Sequence, residues 1–227
     1  MRKLFLTVSC IFIAAVAHSA TVNWNATADT GLALANNSAL TQGNLIRLGY
    51  FTISDSAVVA AKSNPTTLNN SWRSIADSTV GFGTGFDASF SVATSPAILS
   101  GADFGHQIYL WTLNAPTVGA ATQQAIFYEP AANNSAWSFP GSNAGNLSTT
   151  IDIGQAKNPA LGGVFLAGNY QASNAAVTSV FISAGAPPGV YGAVQLESVT
   201  PVPEPSTFLV GAFAAMAAVG LRKRRQS

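Results

Sequence analysis

The chain has 227 residues, of which only 8% are charged and 48% are hydrophobic, and its formal net charge is +1. Its single cysteine, Cys10, excludes a disulfide framework and a zinc site built from several cysteines. No stretch combines basic residues with interleaved aromatic residues, so the composition argues against nucleic-acid binding.

Residues 1–19 have the pattern of a secretory signal peptide. Arg2 and Lys3 precede an apolar stretch, Leu4 to Ala17, and small residues follow it. Cleavage after residue 19 satisfies the small-residue rule, while cleavage after residue 17 or 20 stays open. We therefore predict that the chain is exported and that this segment is removed.

The charge of the exported part differs from that of the whole chain. Six of the ten basic residues lie in the two terminal segments, so residues 20–206 hold four basic and nine acidic residues, a net charge of 4 − 9 = −5. An acidic surface repels phosphate backbones. With roughly 185 residues and no cysteine, this part must be stabilised by a packed core.

Residues 20–197 contain short runs of β-branched and aromatic residues between turn-forming clusters. This pattern predicts one mainly β domain, an antiparallel β-sandwich of the jelly-roll type. Ile108 to Trp111 are apolar on both faces, which indicates a central strand. The predicted strands are Thr21–Asn25, Leu45–Ile53, Phe86–Ala93, Gln107–Leu113, Ala125–Glu129, Val164–Leu166, Val177–Ser183 and Val190–Glu197.

Two short helices are predicted between the early strands. The first spans Asp55–Lys62, with Ser54 as its N-cap. The second follows Pro65, with Thr66 or Thr67 as its cap, and its apolar positions recur at the spacing of one helical face: Leu68, Trp72 and Ile75.

Residues that could carry catalysis are few. His106 is the one histidine after the signal peptide, and a nucleophilic triad would need it beside Asp103 or Asp152. No Gly-x-Ser-x-Gly elbow occurs, and no pair among the nine acidic residues stands out. We expect no enzyme activity and no cofactor, with His106 in a loop before a strand.

Two binding sites are weaker alternatives. Asn25, Thr27 and Asp29 offer oxygen ligands in one loop, but they lack the dense acidic pattern of a strong calcium site. Aromatic rings can stack on sugars, which makes Trp24 and Trp137 candidate glycan contacts in a carbohydrate-binding module. The alternative interpretation of the aromatic residues is that they form core and turn packing; the wider set is Trp24, Trp111, Trp137, Tyr109, Tyr128 and Phe139.

The end of the chain has the composition of a sorting signal. In the linker 198–206, the prolines at 203 and 205 flank Glu204 and keep the backbone extended. Residues 207–221 are uncharged and almost entirely apolar, which predicts a transmembrane helix. At about 1.5 Å per residue this helix spans roughly 22 Å, which is shorter than a bilayer core of about 30 Å. The basic tail 222–227 begins with Arg222, Lys223, Arg224 and Arg225, which favours a cytoplasmic location.

This order of Pro203-Glu204-Pro205, short apolar helix and basic cluster resembles the PEP-CTERM sorting signal of Gram-negative bacteria. The resemblance implies an exosortase, a membrane-embedded protease, as partner, with the residues at 203, 204 and 205 recognised. It also implies transient membrane anchoring followed by release to the cell surface or medium. The tail family also has an ice-binding label, but the strands show no regular Thr-x-Thr array. We expect a noncatalytic surface or extracellular-matrix protein associated with exopolysaccharide; a carbohydrate-binding module is the alternative.

Overall fold

The computed structural model describes residues 21–25, 30–80, 105–139, 148–152, 162–178 and 190–199. These ranges are mainly β with two short helices, as the sequence predicts. Neither described helix is long and apolar enough to cross a membrane. The predicted signal peptide 1–19, strand Phe86–Ala93, membrane helix 207–221 and tail 222–227 lie outside the described residues. The strands are β1 (Thr21–Asn25), β2 (Thr30–Ala33), β3 (Leu45–Phe51), β4 (Trp72–Thr79), β5 (Tyr109–Leu113), β6 (Gln123–Tyr128), β7 (Ser148–Asp152), β8 (Val164–Ala167), β9 (Asn169–Thr178), β10 (Val190–Gln195) and β11 (Glu197–Ser198).

A six-stranded sheet carries most of the core. Its order is β11–β6–β5–β3–β4, and β8 pairs with β6 beside β11. All of these pairings are antiparallel. All five residues of β5 are buried, which confirms the prediction of a central strand at this position.

Two smaller sheets depart from the predicted antiparallel arrangement. One has the order β2–β10–β9, and the other pairs β1 with β7. The β1–β7 and β2–β10 pairs are parallel, so the prediction of a wholly antiparallel sandwich is wrong. Parallel partners need a long crossover connection. Here at least four strands of the six-stranded sheet, β3 to β6, lie between the partners in sequence, which local patterns cannot reveal.

Two single-residue connections join the two larger sheets. Gly168 joins β8 to β9 with φ of +76°, and an added Cβ would lie 2.5 Å from the Gln195 carbonyl oxygen. Leu196 joins β10 to β11, and its N–H donates to the Ala33 carbonyl at 2.8 Å. One hydrophobic core therefore includes residues from both sheets, such as Val194 and Phe127.

Both helices begin at a side-chain cap. Helix α1 (Asp55–Ala61) is capped by Ser54, as predicted. Helix α2 (Pro65–Ser71) is capped by Asn64, whose Oδ1 accepts from the Thr67 N–H at 3.1 Å. The predicted caps Thr66 and Thr67 are therefore wrong. Proline at the first helical position needs no N–H partner, so the residue before it is the natural cap.

The second predicted helix is also too long. Trp72 and Ile75 lie on β4, and α2 ends at Ser71. The pairing with β3 shifts between Leu48 and Gly49, so Ile75 is an extra residue in β4. This bulge buries Trp72, Ile75 and Ala76 together, and that spacing imitates one face of a helix.

The six-stranded sheet has two distinct ends. At one end β3 and β6 begin, while β4, β5 and β11 end, and the described chain leaves the fold at Val199. We call this the exit end. The far end is the opposite one, where β3 leads into α1 and β6 leads into the turn after Tyr128.

Candidate functional site

The predicted sugar-stacking residues do not form an exposed aromatic platform in the described structure. Trp137 is 0% exposed at the end of a 3₁₀ turn, Ser135–Trp137. A buried ring cannot stack on a sugar, so the prediction of Trp137 as a glycan contact is wrong. Trp111 and Phe139 are also buried, as the core interpretation predicts. The side chain of Trp24 lies outside the described part.

Several aromatic rings pack together in the core instead. Phe51 lies edge-on to Trp72, with ring centroids 4.8 Å apart, and Trp72 meets Trp111 at 5.4 Å. Gly49 makes this packing feasible, because an added Cβ there would collide with the Trp72 ring and the Arg73 carbonyl oxygen. These packed rings therefore contribute to the stability of the fold.

An ion pair between buried Arg47 and exposed Asp77 lies against the same rings. Arg47 donates to both carboxylate oxygens of Asp77, through Nε at 3.0 Å and through a terminal nitrogen at 3.2 Å. Its guanidinium lies 5.5 Å from the centroid of the Trp72 ring and 5.4 Å from that of Trp111. Both the bidentate geometry and the cation–π contacts stabilise a buried arginine. We therefore assign this group a structural role.

Asp55 forms a polar cluster with two tyrosines at the far end. Its two carboxylate oxygens accept from the hydroxyls of Tyr109 and Tyr128, each at 2.6 Å. The pKa of each phenol is raised above its ordinary value, mostly by burial and secondly by the hydrogen bond to Asp55. The cluster ties the start of α1 to β5 and β6. Sequence reasoning missed it, because the partners are 54 and 73 residues from Asp55.

The catalytic candidates do not assemble into a site in the described structure. His106 is exposed in the loop before β5, as predicted, and its ring stacks on Tyr50 at 4.3 Å. Asp103 lies outside the described residues, and so does the side chain of Asp152. Within the described ranges, no three His, Cys, Asp or Glu side chains lie close enough to hold a metal ion. The predicted calcium loop around Thr27 and Asp29 falls outside those ranges.

Amide side chains form hydrogen bonds between the loop before β3 and the three-stranded sheet β2–β10–β9. Asn37 has a positive φ of 68°, and its Oδ1 accepts from Gln171 and from Gln195, each at 2.7 Å. Gln195 also donates to the Ala35 carbonyl at 2.9 Å. Asparagine tolerates this left-handed backbone conformation better than most residues. The network fixes the loop beside the exit end.

The chain remains part of the fold up to Val199. Glu197 and Ser198 pair with β6, and the Val199 N–H donates to the Thr122 carbonyl at 2.8 Å. Val199 is only 5% exposed. Folded contacts therefore extend two residues beyond the predicted domain boundary at 197. Apart from residues 198 and 199, the predicted linker and its sorting residues Pro203, Glu204 and Pro205 lie outside the described part.

Comparison with known proteins identifies the segment that follows Val199. A family model described as the PEP-CTERM protein-sorting motif matches residues 201–225. No curated protein matches the chain, and no solved structure matches it either. The motif is a substrate signal for exosortase, a membrane protein, and implies export and membrane-anchored transit to the cell surface. The chain is therefore a protein that carries the PEP-CTERM sorting motif.

Proposed function

We propose that this protein is a noncatalytic component of the cell surface or extracellular matrix, associated with exopolysaccharide. Exosortase recognises Pro203, Glu204 and Pro205, cleaves the chain nearby and releases the β domain. The observation that carries the proposal is the sorting motif at residues 201–225, which starts two residues after the last described residue of the folded domain.

The contacts of the described polar groups support a structural role for the domain. Asp55 holds two tyrosines, Arg47 pairs with Asp77, and Lys62 pairs with Glu197 at 2.9 Å. Each of these five charged side chains is engaged in joining elements of the fold. The proposal that the protein is not an enzyme rests on these contacts.

The sorting step is tested with the full chain in a host that contains exosortase. Replacing Pro203, Glu204 and Pro205 together by alanine should leave the protein in the membrane fraction, whereas the wild type reaches the surface or medium. Glu197→Gln is the matched control, because it removes one negative charge seven residues before Glu204. Its release should equal that of the wild type, since a partly exposed ion pair contributes little to stability. Normal release of the triple variant would contradict the proposal.

The matrix association is tested separately with the released protein. It should co-sediment with exopolysaccharide purified from the same host, and the polysaccharide should keep its chain length after incubation. Failure to co-sediment would contradict the matrix role. Shortening of the polysaccharide would contradict the noncatalytic role.

A further inference from the structure

The folded domain and the sorting motif are separated by very little chain. Val199 is held against β6 by its hydrogen bond to Thr122 and by burial. Four residues lead from Val199 to Pro203, and such a segment spans at most about 14 Å even when fully extended. A protease bound at Pro203-Glu204-Pro205 must therefore come within about this distance of the exit end.

Two uncharged segments form the exit end. Segments 34–44 and 114–122 surround the point where the chain leaves, and neither contains an acidic, basic or histidine residue. They lie together because the Ala35 N–H donates to the side chain of Gln123, which follows the second segment, and the N–H of Leu45, which follows the first, donates to the Ala115 carbonyl at 2.9 Å.

The nearest described charges are already neutralised. Lys62 pairs with Glu197 at 2.9 Å on the flank of this end, and Arg47 pairs with Asp77 at 3.0 Å. The far end differs, because Asp55, Arg73, His106 and Glu129 lie in or next to its connections. The described surface beside the sorting motif is thus free of unpaired charge, while the opposite end is rich in ionisable groups.

We propose that the exit end, formed by segments 34–44 and 114–122, is the surface that docks on the membrane-embedded sorting protease. This inference rests on the proposed function and adds the face of the domain that the protease contacts. Charged residues are depleted at the centre of protein interfaces, because a charge that loses water without gaining a partner is costly. The short connection forces this face toward the protease, and its uncharged loops allow close approach.

One pair of matched substitutions tests the docking surface. Ala120 is exposed in the 3₁₀ turn Val118–Ala120 of the exit end, and Ala132 is exposed in the turn after β6 at the far end. Pulse–chase of the full chain in a host with exosortase measures the half-time of conversion from precursor to released protein. Ala120→Lys and Ala120→Glu should each lengthen this half-time at least about threefold, because either charge would be desolvated in the interface. Ala132→Lys should leave it unchanged.

A linker insertion separates docking from folding defects. Ten Gly/Ser residues placed between positions 199 and 200 add a mean span of about 17 Å, so the protease no longer has to contact the exit end. The insertion should restore the wild-type half-time to Ala120→Lys. The released variants should unfold at the same midpoint temperature as the released wild type, as expected for surface substitutions.

Each outcome decides between the two proposals. If all Ala120 variants convert at the wild-type rate, the docking surface is wrong, while sorting at residues 203–205 stands. If Ala120→Lys speeds conversion and Ala120→Glu slows it, an anionic lipid surface faces the exit end and the protease contact is overturned. If the wild type itself is not processed near Pro203-Glu204-Pro205, the proposed function fails, and the docking surface fails with it.

Discussion

The two ends of the six-stranded sheet are built in different ways. The far end is held by ionisable as well as amide side chains, with Asp55 accepting from Tyr109 and Tyr128 and Gln107 donating to the Glu129 carbonyl. The exit end is held by backbone and amide groups, such as the Val199 N–H on the Thr122 carbonyl and the Ala35 N–H on Gln123. Both arrangements satisfy the polar groups, but only the second leaves a surface without charge. The difference places charged side chains in the contacts of the far end and leaves the described loops of the exit end to backbone and amide groups.

The largest expected effect comes from breaking the far end. Asp55→Ala removes the acceptor of two charge-assisted hydrogen bonds, so the free energy of unfolding should fall by about 3 kcal/mol. Urea denaturation of the released protein measures this loss. Asp55→Asn is the matched control and should lose less, because the amide oxygen still accepts one hydroxyl. A variant as stable as the wild type would show that the cluster does not hold the far end.

High pH should weaken the same cluster. The pKa of Tyr109 and Tyr128 is raised in the folded protein, so their contribution is complete below the unfolded pKa of about 10 and is lost as pH rises above it. The slope should reach at most about 1.4 kcal/mol per pH unit for each tyrosine. Denaturation between pH 8 and 11 measures it. Tyr128→Phe should show a smaller slope than the wild type, and an equal slope would contradict the role of this phenol.

Loosening the exit end should have a smaller effect on stability than breaking the far end. It should not slow sorting. Val199→Ser removes a buried apolar side chain next to a two-residue strand, so the free energy of unfolding should fall by about 1 kcal/mol. Release of β11 lengthens the free chain before Pro203, so pulse–chase should show conversion at least as fast as in the wild type. Val199→Ile keeps the apolar contact and serves as the control. Slower conversion of Val199→Ser would contradict the idea that the short connection restrains the domain.

Sequence patterns predicted the contiguous features of this protein. A run that is apolar on both faces located β5, and Ser54 as an N-cap located α1. The sorting motif was predictable because its prolines, apolar run and basic residues are adjacent in the chain.

Features that depend on distant residues were not predictable. The bulge at Ile75 turned a strand into an apparent helical pattern, since its extra residue depends on Gly49 of the partner strand. The partners of Asp55 and the parallel partner of β1 are likewise fixed only by the completed fold. The sequence around Trp137 is that of a turn, which made an exposed ring for glycan stacking conceivable, yet the ring is buried. Burial of that kind depends on the core as a whole.

The central claim is that exosortase cleaves this chain near Pro203-Glu204-Pro205 and releases the domain. Mass spectrometry of the intact surface-released protein tests it most directly, because the mass fixes both termini. We predict a C-terminus close to residues 203–205, with the segment after Thr207 absent. Released protein that still carries Arg222, Lys223, Arg224 and Arg225 would contradict the claim.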